Sequence, residues 1–248
     1  VIALSGRVTD IDNDETKITF SAKGGNDSLV SPSVTGNTLT LKYGKDRAGE
    51  TTVTVTALSA AGTVSDTFTV TVEPLRYSVS GNVSYFSNRL PVPNMKMMLR
   101  GNDFYTGGAV SEDIVTDSSG NYLFSDIIRG NYSVTPFKND PPDPKKLTAA
   151  DADIIADVAL GVKTLTPAQY KAADVTLNGR VSGLDASRLG RFTAGLITEM
   201  SGSGSPTPGW VSDPESLSFS LNADTAGLNF TMYMTGDISG NYSRQIAP

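Results

Sequence analysis

The 248-residue chain contains no histidine and no cysteine. Those absences remove whole classes of chemistry. No Ser-His-Asp or Cys-His nucleophile system can be assembled, and no zinc site of the usual ligand types. Disulfides, iron–sulfur clusters and Cys-attached haem are excluded on the same ground. There is no run of roughly 18 apolar residues, so nothing reads as a membrane-spanning helix. Basic residues are in deficit, with 20 Lys plus Arg against 26 Asp plus Glu and a formal net charge of -6. Such a chain is a poor nonspecific binder of nucleic acid. What the composition does supply is oxygen: carboxylates, amides, hydroxyls and carbonyls, the ligand set of calcium. Length predicts one to three domains, and a hydrophobic fraction of 38% suits small cores. The chain opens on Val1, which reads as a processed chain or an excerpt of a longer one.

Residues 1–74 alternate. The runs TLTLKY from Thr38, TTVTVTAL from Thr51 and DTFTVTVEP from Asp66 put apolar and hydroxyl residues on opposite faces, the period of a half-buried strand. Turn clusters at Thr35, Asp46 and Ser59 separate them, so the spacing predicts a β-sandwich. Residues 76–137 read as a second β-unit. YSVSGNVSYF from Tyr77 alternates, a strand is predicted from Pro91, and Asp117 to Gly120 form a predicted hairpin turn before a strand at Tyr122.

At Asp140 the pattern changes. Pro141, Pro142 and Pro144 stop the sheet, and Leu147, Ile154, Ile155 and Val158 then recur at helical spacing. Thr166-Pro167-Ala168-Gln169 is a capping box with proline at the first helical position. A third helix is predicted from Asp185, with Leu189, Phe192 and Leu196 on one face. The Ser/Gly/Pro-rich stretch 201–209 is a return linker, after which SLSFSLN and LNFTMYM resume strand alternation. Two organisations fit. The helical block interrupts one β-domain, or it stands alone before a free hairpin. The insertion is preferred, because a lone hairpin is marginal in water.

The stretch DVTLNGRVSGLD, residues 174–185, has the layout of a calcium-binding EF-hand loop. Asp174, Thr176 and Asn178 take positions 1, 3 and 5, Gly179 the sharp turn at 6, and Arg180 offers its carbonyl at 7. Ser182 takes position 9 and Asp185 position 12; together they also cap the next helix. Counting back from Asp151, which matches Asp185 in spacing, places an upstream loop at residues 140–151. Asp140 opens it and Asp151 closes it, but Pro142, Pro144 and Lys145 stand where ligands and glycine belong, leaving Asp143 as a substitute ligand. The cluster Asp10, Asp12, Asn13, Asp14 and Glu15 is a further candidate for calcium at a module joint, or an acidic turn. Asp237-Ile-Ser-Gly-Asn echoes Asp117-Ser-Ser-Gly-Asn and reads as a second β-turn of the same kind.

These segments resemble known families. Residues 1–74, with their early Asp-x-Asp-x-Asp stretch and final DTFTVTV strand, resemble bacterial immunoglobulin- or cadherin-like repeats. Against that pattern the first strand is clipped to Val1–Leu4. The order SGNV, PVPN, TDSSGNY, GNYSVTP resembles the transthyretin-like or carboxypeptidase-regulatory-like sandwich, whose closing NFT lies downstream at Asn229-Phe230-Thr231. ADVTLNGRVSGLDASRLGRFTAGLI resembles the second repeat of a dockerin. The expected fold is mainly β: two β-sandwich domains, 1–74 and the discontinuous 76–137 plus 209–248, with a small α-helical dockerin-like insertion at 138–208.

The resemblance implies a noncatalytic extracellular or cell-surface protein that binds calcium. It would attach or assemble by docking to a cohesin or by self-association into a filament or layer. Ala186, Ser187, Arg188 and Arg191 would form the docking surface; the matching surface of the first repeat, with Ala152, Asp153 and Asp157, differs in charge, which argues against two interchangeable binding modes. The alternative is the noncatalytic C-terminal tail of a larger polysaccharide-degrading enzyme. A glycosidase using Asp151 and Asp185 is the weaker reading, since capping already employs both. Lys96 is a weak candidate for an internal isopeptide crosslink. Asn26, Asn82, Asn131, Asn229 and Asn241 lie in sequons that would accept N-glycans. Trp210 is expected to pack where the chain re-enters the sandwich.

Overall fold

The computed structural model describes residues 1–9, 17–138, 146–201 and 209–241. Among them are fourteen strands and three helices, a mainly β fold. The chain divides into two compact units, Val1–Leu75 and Arg76–Pro248.

The first unit holds two three-stranded sheets. One is β1 (Ile2–Ala3), β4 (Thr38–Tyr43) and β3 (Val30–Thr35), in the order β1-β4-β3; the other is β2 (Thr19–Gly24), β5 (Gly49–Ser59) and β6 (Gly62–Val72), in the order β2-β5-β6. The alternating Thr/Val runs become β4, β5 and β6, each with one face turned to the core. Leu29, Val30 and Val53 form its buried cluster, with Leu41, Val55, Phe68, Val70 and Val72 packed against it. Hydroxyls tie the outer face of the β5–β6 hairpin: Thr54 with Thr67 and Ser65 with Thr56, both at 2.8 Å.

The second unit is built on two four-stranded sheets. Strands β7 (Arg76–Tyr85), β10 (Asn121–Ile128), β12 (Trp210–Asp213) and β14 (Phe230–Met234) run in the order β10-β7-β14-β12. Strands β8 (Lys96–Asp103), β9 (Ala109–Val115), β11 (Gly130–Phe137) and β13 (Leu217–Leu221) run in the order β13-β11-β8-β9. Both sheets therefore draw strands from either side of residues 138–208. β14 lies parallel to β7, with Phe230 opposite Val83, and β13 lies antiparallel to β11.

Three readings of local structure change here. The segment from Pro91 is not yet strand: Pro91 makes one bridge to Ser84, Asn94 turns with φ 57°, and β8 begins at Lys96. Proline withholds the N–H that a ladder would need. The turn at Asp117 is not a hairpin, because β9 pairs with β8 and β10 with β7, so the chain crosses between sheets there. Leu196 is outside the third helix and 70% exposed, because the helix ends at Thr193 and Gly195 follows with φ +69°.

The helices are α1 (Ala149–Ala159), α2 (Pro167–Ala173) and α3 (Gly183–Thr193). All three begin at capping boxes: Thr148 with Asp151, Thr166 with Gln169, and Ser182 with Asp185. Their apolar faces do not close a separate core. Leu147, Ile155, Ala172, Val175, Leu189 and Phe192 belong to the same buried cluster as Val83, Tyr85, Met97, Leu99 and Phe230 of the sheets. Trp210 packs against that cluster, edge-on to Tyr85 at 6.1 Å between ring centroids.

Candidate metal centre

The loop between α2 and α3 is organised around two carboxylates. Asp174 accepts the amides of Asn178 (Oδ1, 3.1 Å) and Gly179 (Oδ2, 2.7 Å), which winds the chain back over it. That winding needs left-handed backbone, supplied by Leu177 at φ 60° and Gly179 at φ +78°. The Asn178 side chain accepts the Arg180 amide at 2.9 Å. Asp185, fully buried, closes the loop from the far end. Its Oδ2 accepts the Ser182 amide (2.9 Å) and hydroxyl (3.0 Å), while its Oδ1 accepts the Thr176 amide (3.1 Å) and hydroxyl (2.7 Å).

Three oxygens thereby converge. Thr176 Oγ1 lies 3.4 Å from Asp174 Oδ1 and 2.7 Å from Asp185 Oδ1. Ligands around a calcium ion at 2.3–2.6 Å sit roughly 3 Å from one another, and these two separations are of that order, so Asp174, Thr176 and Asp185 are the residues that would hold such an ion. Each carboxylate oxygen can accept twice. Asp174 Oδ2 accepts once, from Gly179, whereas both Asp185 oxygens already accept from Thr176 and Ser182, so a cation would displace the hydroxyl donors there. Among the described residues no group of three or more Asp, Glu, His or Cys side chains is placed to hold a metal. The loop's donor set is accordingly two carboxylates plus neutral oxygens. Asp10, Asp12, Asp14, Asp140 and Asp143 lie outside the described residues.

Asp151 is also fully buried, and its oxygens are turned to two different partners. Oδ2 accepts the amide and hydroxyl of Thr148, both at 2.8 Å, as its capping box requires. Oδ1 accepts the amides of Ile238 (2.9 Å) and Ser239 (2.7 Å), far along the chain. Beside it, buried Asp237 accepts the Tyr85 hydroxyl at 2.5 Å on Oδ2 and the Gly240 and Asn241 amides at 2.8 and 3.2 Å on Oδ1. Burial pushes the Asp237 carboxyl above the usual range, and the charge of Asp151 adds to the rise, against the opposing hydrogen bond from Tyr85. Burial and then Asp237 push the Tyr85 phenol up in turn. By its sequence alone the Asp237 segment reads as a plain turn. The signal available was its likeness to Asp-Val-Thr-Leu-Asn at Asp174.

The expected docking surface is only partly outward. Ser187, Arg191 and Asp153 are exposed, whereas Ala152 and Ala186 pack against the core, and Asp157 is paired with Lys163 at 2.8 Å. Lys96 forms an ion pair with Asp113 at 2.7 Å on the sheet surface. Of the sequon asparagines, Asn82 spends its side-chain amide on Ser119 and Asn121.

No known family profile and no curated protein matches the sequence. Solved structures do. The major pilin subunit BcpA of Bacillus cereus is 14% identical over 50% of this chain and 46% of its own length, with a TM-score of 0.26. The pilus 2b backbone protein of group B streptococcus is 10% identical over 50% and 65% of the two chains, with a TM-score of 0.22. The T6 backbone pilin of serotype M6 Streptococcus pyogenes is 10% identical over 54% and 37%, also at 0.22. This chain spans less than half the length of the first of these pilins. Likeness at that level says nothing about function.

Proposed function

We propose that the chain is a noncatalytic extracellular structural module, stiffened by calcium, that attaches or assembles protein at a cell surface. The observation that carries this reading is the convergence of Asp174, Thr176 and Asp185 oxygens in a loop wound with EF-hand spacing. Calcium there would join the start of the loop to the cap of α3, and so fix α2 and α3 relative to each other. Because that geometry is absent from the unfolded chain, binding energy becomes folding energy. The ion would act in mechanics rather than chemistry. The helical block shares its core with the sheets, so stiffening the loop would stiffen the sandwich it packs on. Assembly would proceed through the exposed helix faces with Ser187 and Arg191, to a cohesin-like partner or another copy of the chain.

Thermal melting with added calcium and with EDTA tests the ion. The melting temperature of the second unit rises with calcium and falls on chelation, and Asp174→Ala abolishes the difference. Identical curves, with no calcium found by elemental analysis, rule the reading out. Electron microscopy with and without calcium tests assembly; dispersed monomers in both conditions count against self-association.

A further inference from the structure

Two short segments, 174–178 and 237–241, carry the same chemistry at the same offsets. Each begins with Asp, continues with a β-branched apolar residue and a hydroxyl residue, and ends in Asn. Val175 and Ile238 are both buried. Leu177 and Gly240, at the fourth offset, both hold left-handed backbone, with φ of 60° and 74°. The hydroxyl at the third offset reaches back to the leading carboxylate at 3.4 Å in one segment and 3.3 Å in the other. The amide at the fifth offset donates to it at 3.1 Å and 3.2 Å.

What each segment docks on also corresponds. The Thr176 amide donates to Oδ1 of Asp185, and the Ser239 amide to Oδ1 of Asp151. Both acceptors are fully buried, and both hold their own N-cap residue on Oδ2. The two segments are neighbours, joined just ahead of their leading aspartates by the Gly236 amide and the Ala172 carbonyl at 2.9 Å.

We propose that residues 237–241 are the first half of the α1 repeat, delivered from 87 residues downstream, and that they clasp the helical block onto the sandwich. The block is then a two-repeat unit whose first repeat is assembled from two distant pieces of chain. A buried carboxylate must be furnished with donors. Asp151 obtains two of them from Ile238 and Ser239, at the end of the segment that leaves β14. Asp237 is held in turn by Tyr85 on β7. A continuous path of hydrogen bonds thus runs from α1 through Asp151, Ser239 and Asp237 to the sheet. Both Asp117 and Asp237 accept amides of their own turns, but only the Asp237 segment also sends amides, those of Ile238 and Ser239, to a distant buried carboxylate.

None of these contacts needs a bound ion, so the test is run with chelator present. Hydrogen exchange is measured on the full chain carrying Asp151→Ala, with Asp117→Ala as control. In Asp151→Ala the amides of Ile238, Ser239 and α1 exchange at least about tenfold faster, while those of β8 stay within about twofold. Asp117→Ala leaves all of these unchanged. Unaltered exchange at Ile238 and Ser239 in Asp151→Ala overturns the clasp, as does equal acceleration in β8. Asp151→Asn is read by the same criteria if the alanine variant does not fold.

Discussion

The two units meet the demand for buried surface in different ways. The first has a small aliphatic cluster of Leu29, Val30 and Val53, against which Leu41, Val55, Phe68, Val70 and Val72 are only half-buried, while Leu58 and Val64 are exposed. Much of its order rests on ladder pairing and on cross-strand hydroxyl pairs such as Thr54 with Thr67. The second gathers Tyr85, Phe124, Phe230, Met95, Met97 and Leu99 into one core that continues into the helices. Apolar burial contributes about 25 cal/mol per Å², so the second unit carries the larger reserve and the first stands nearer its threshold. Threonine-rich alternation is enough to specify strands; it is a thin source of stability.

Removing core volume breaks the comparison most sharply. Leu99→Ala should cost the second unit about 2–5 kcal/mol and leave the first untouched, giving two separated transitions in calorimetry that draw together. Val53→Ala should cost the first unit about 2 kcal/mol, a larger share of a smaller total, and unfold it at lower denaturant without moving the second transition. Ser182→Ala removes the hydroxyl that caps α3 and should cost about 1 kcal/mol, read as faster exchange in that helix.

The smallest effect is one of pH. The folded Asp237 carboxyl titrates above its ordinary value of 3.8, so the folded state holds a proton that the unfolded chain releases. Its contribution to stability is therefore greatest at low pH and is lost as pH rises from about 4 through the folded value. Asp237→Asn should flatten that decline in the second unit, measured as the difference between wild-type and variant melting temperatures across the acid range. A variant whose pH dependence matches wild type removes Asp237 from the account.

Periodicity made the regular elements legible. The Thr/Val runs and the capping boxes needed only neighbouring residues to be read, and β4, β5, β6, α2 and α3 stand where those patterns lie. What local pattern could not supply was the partner. Asp117 and Asp237 open near-identical pentapeptides, yet one pentapeptide turns the chain between sheets and the other docks on α1 through the amides of Ile238 and Ser239. The distinction lies in Asp151, 87 residues from Ile238, and no window around Asp237 contains it. Leu196 was misplaced for the opposite reason: helical spacing continues past Thr193, but Gly195 ends the helix before the spacing does. In the loop between α2 and α3, offsets grouped Asp174, Thr176 and Asp185, which the structure brings within hydrogen-bond reach, whereas the lining of Asp151 by backbone amides has no side-chain signature to read.

The parallel pairing of β14 with β7 has a consequence for how the protein is made. β7 is an inner strand, flanked by β10 on one edge and β14 on the other. Its contacts with the far segment join residues as distant as Asn82 and Asn229, 147 positions apart. As the chain emerges during synthesis, the first unit can complete all its pairings while the second waits with the open edge of β7 exposed. Long-range pairing of this kind slows folding and lengthens the life of an aggregation-prone intermediate.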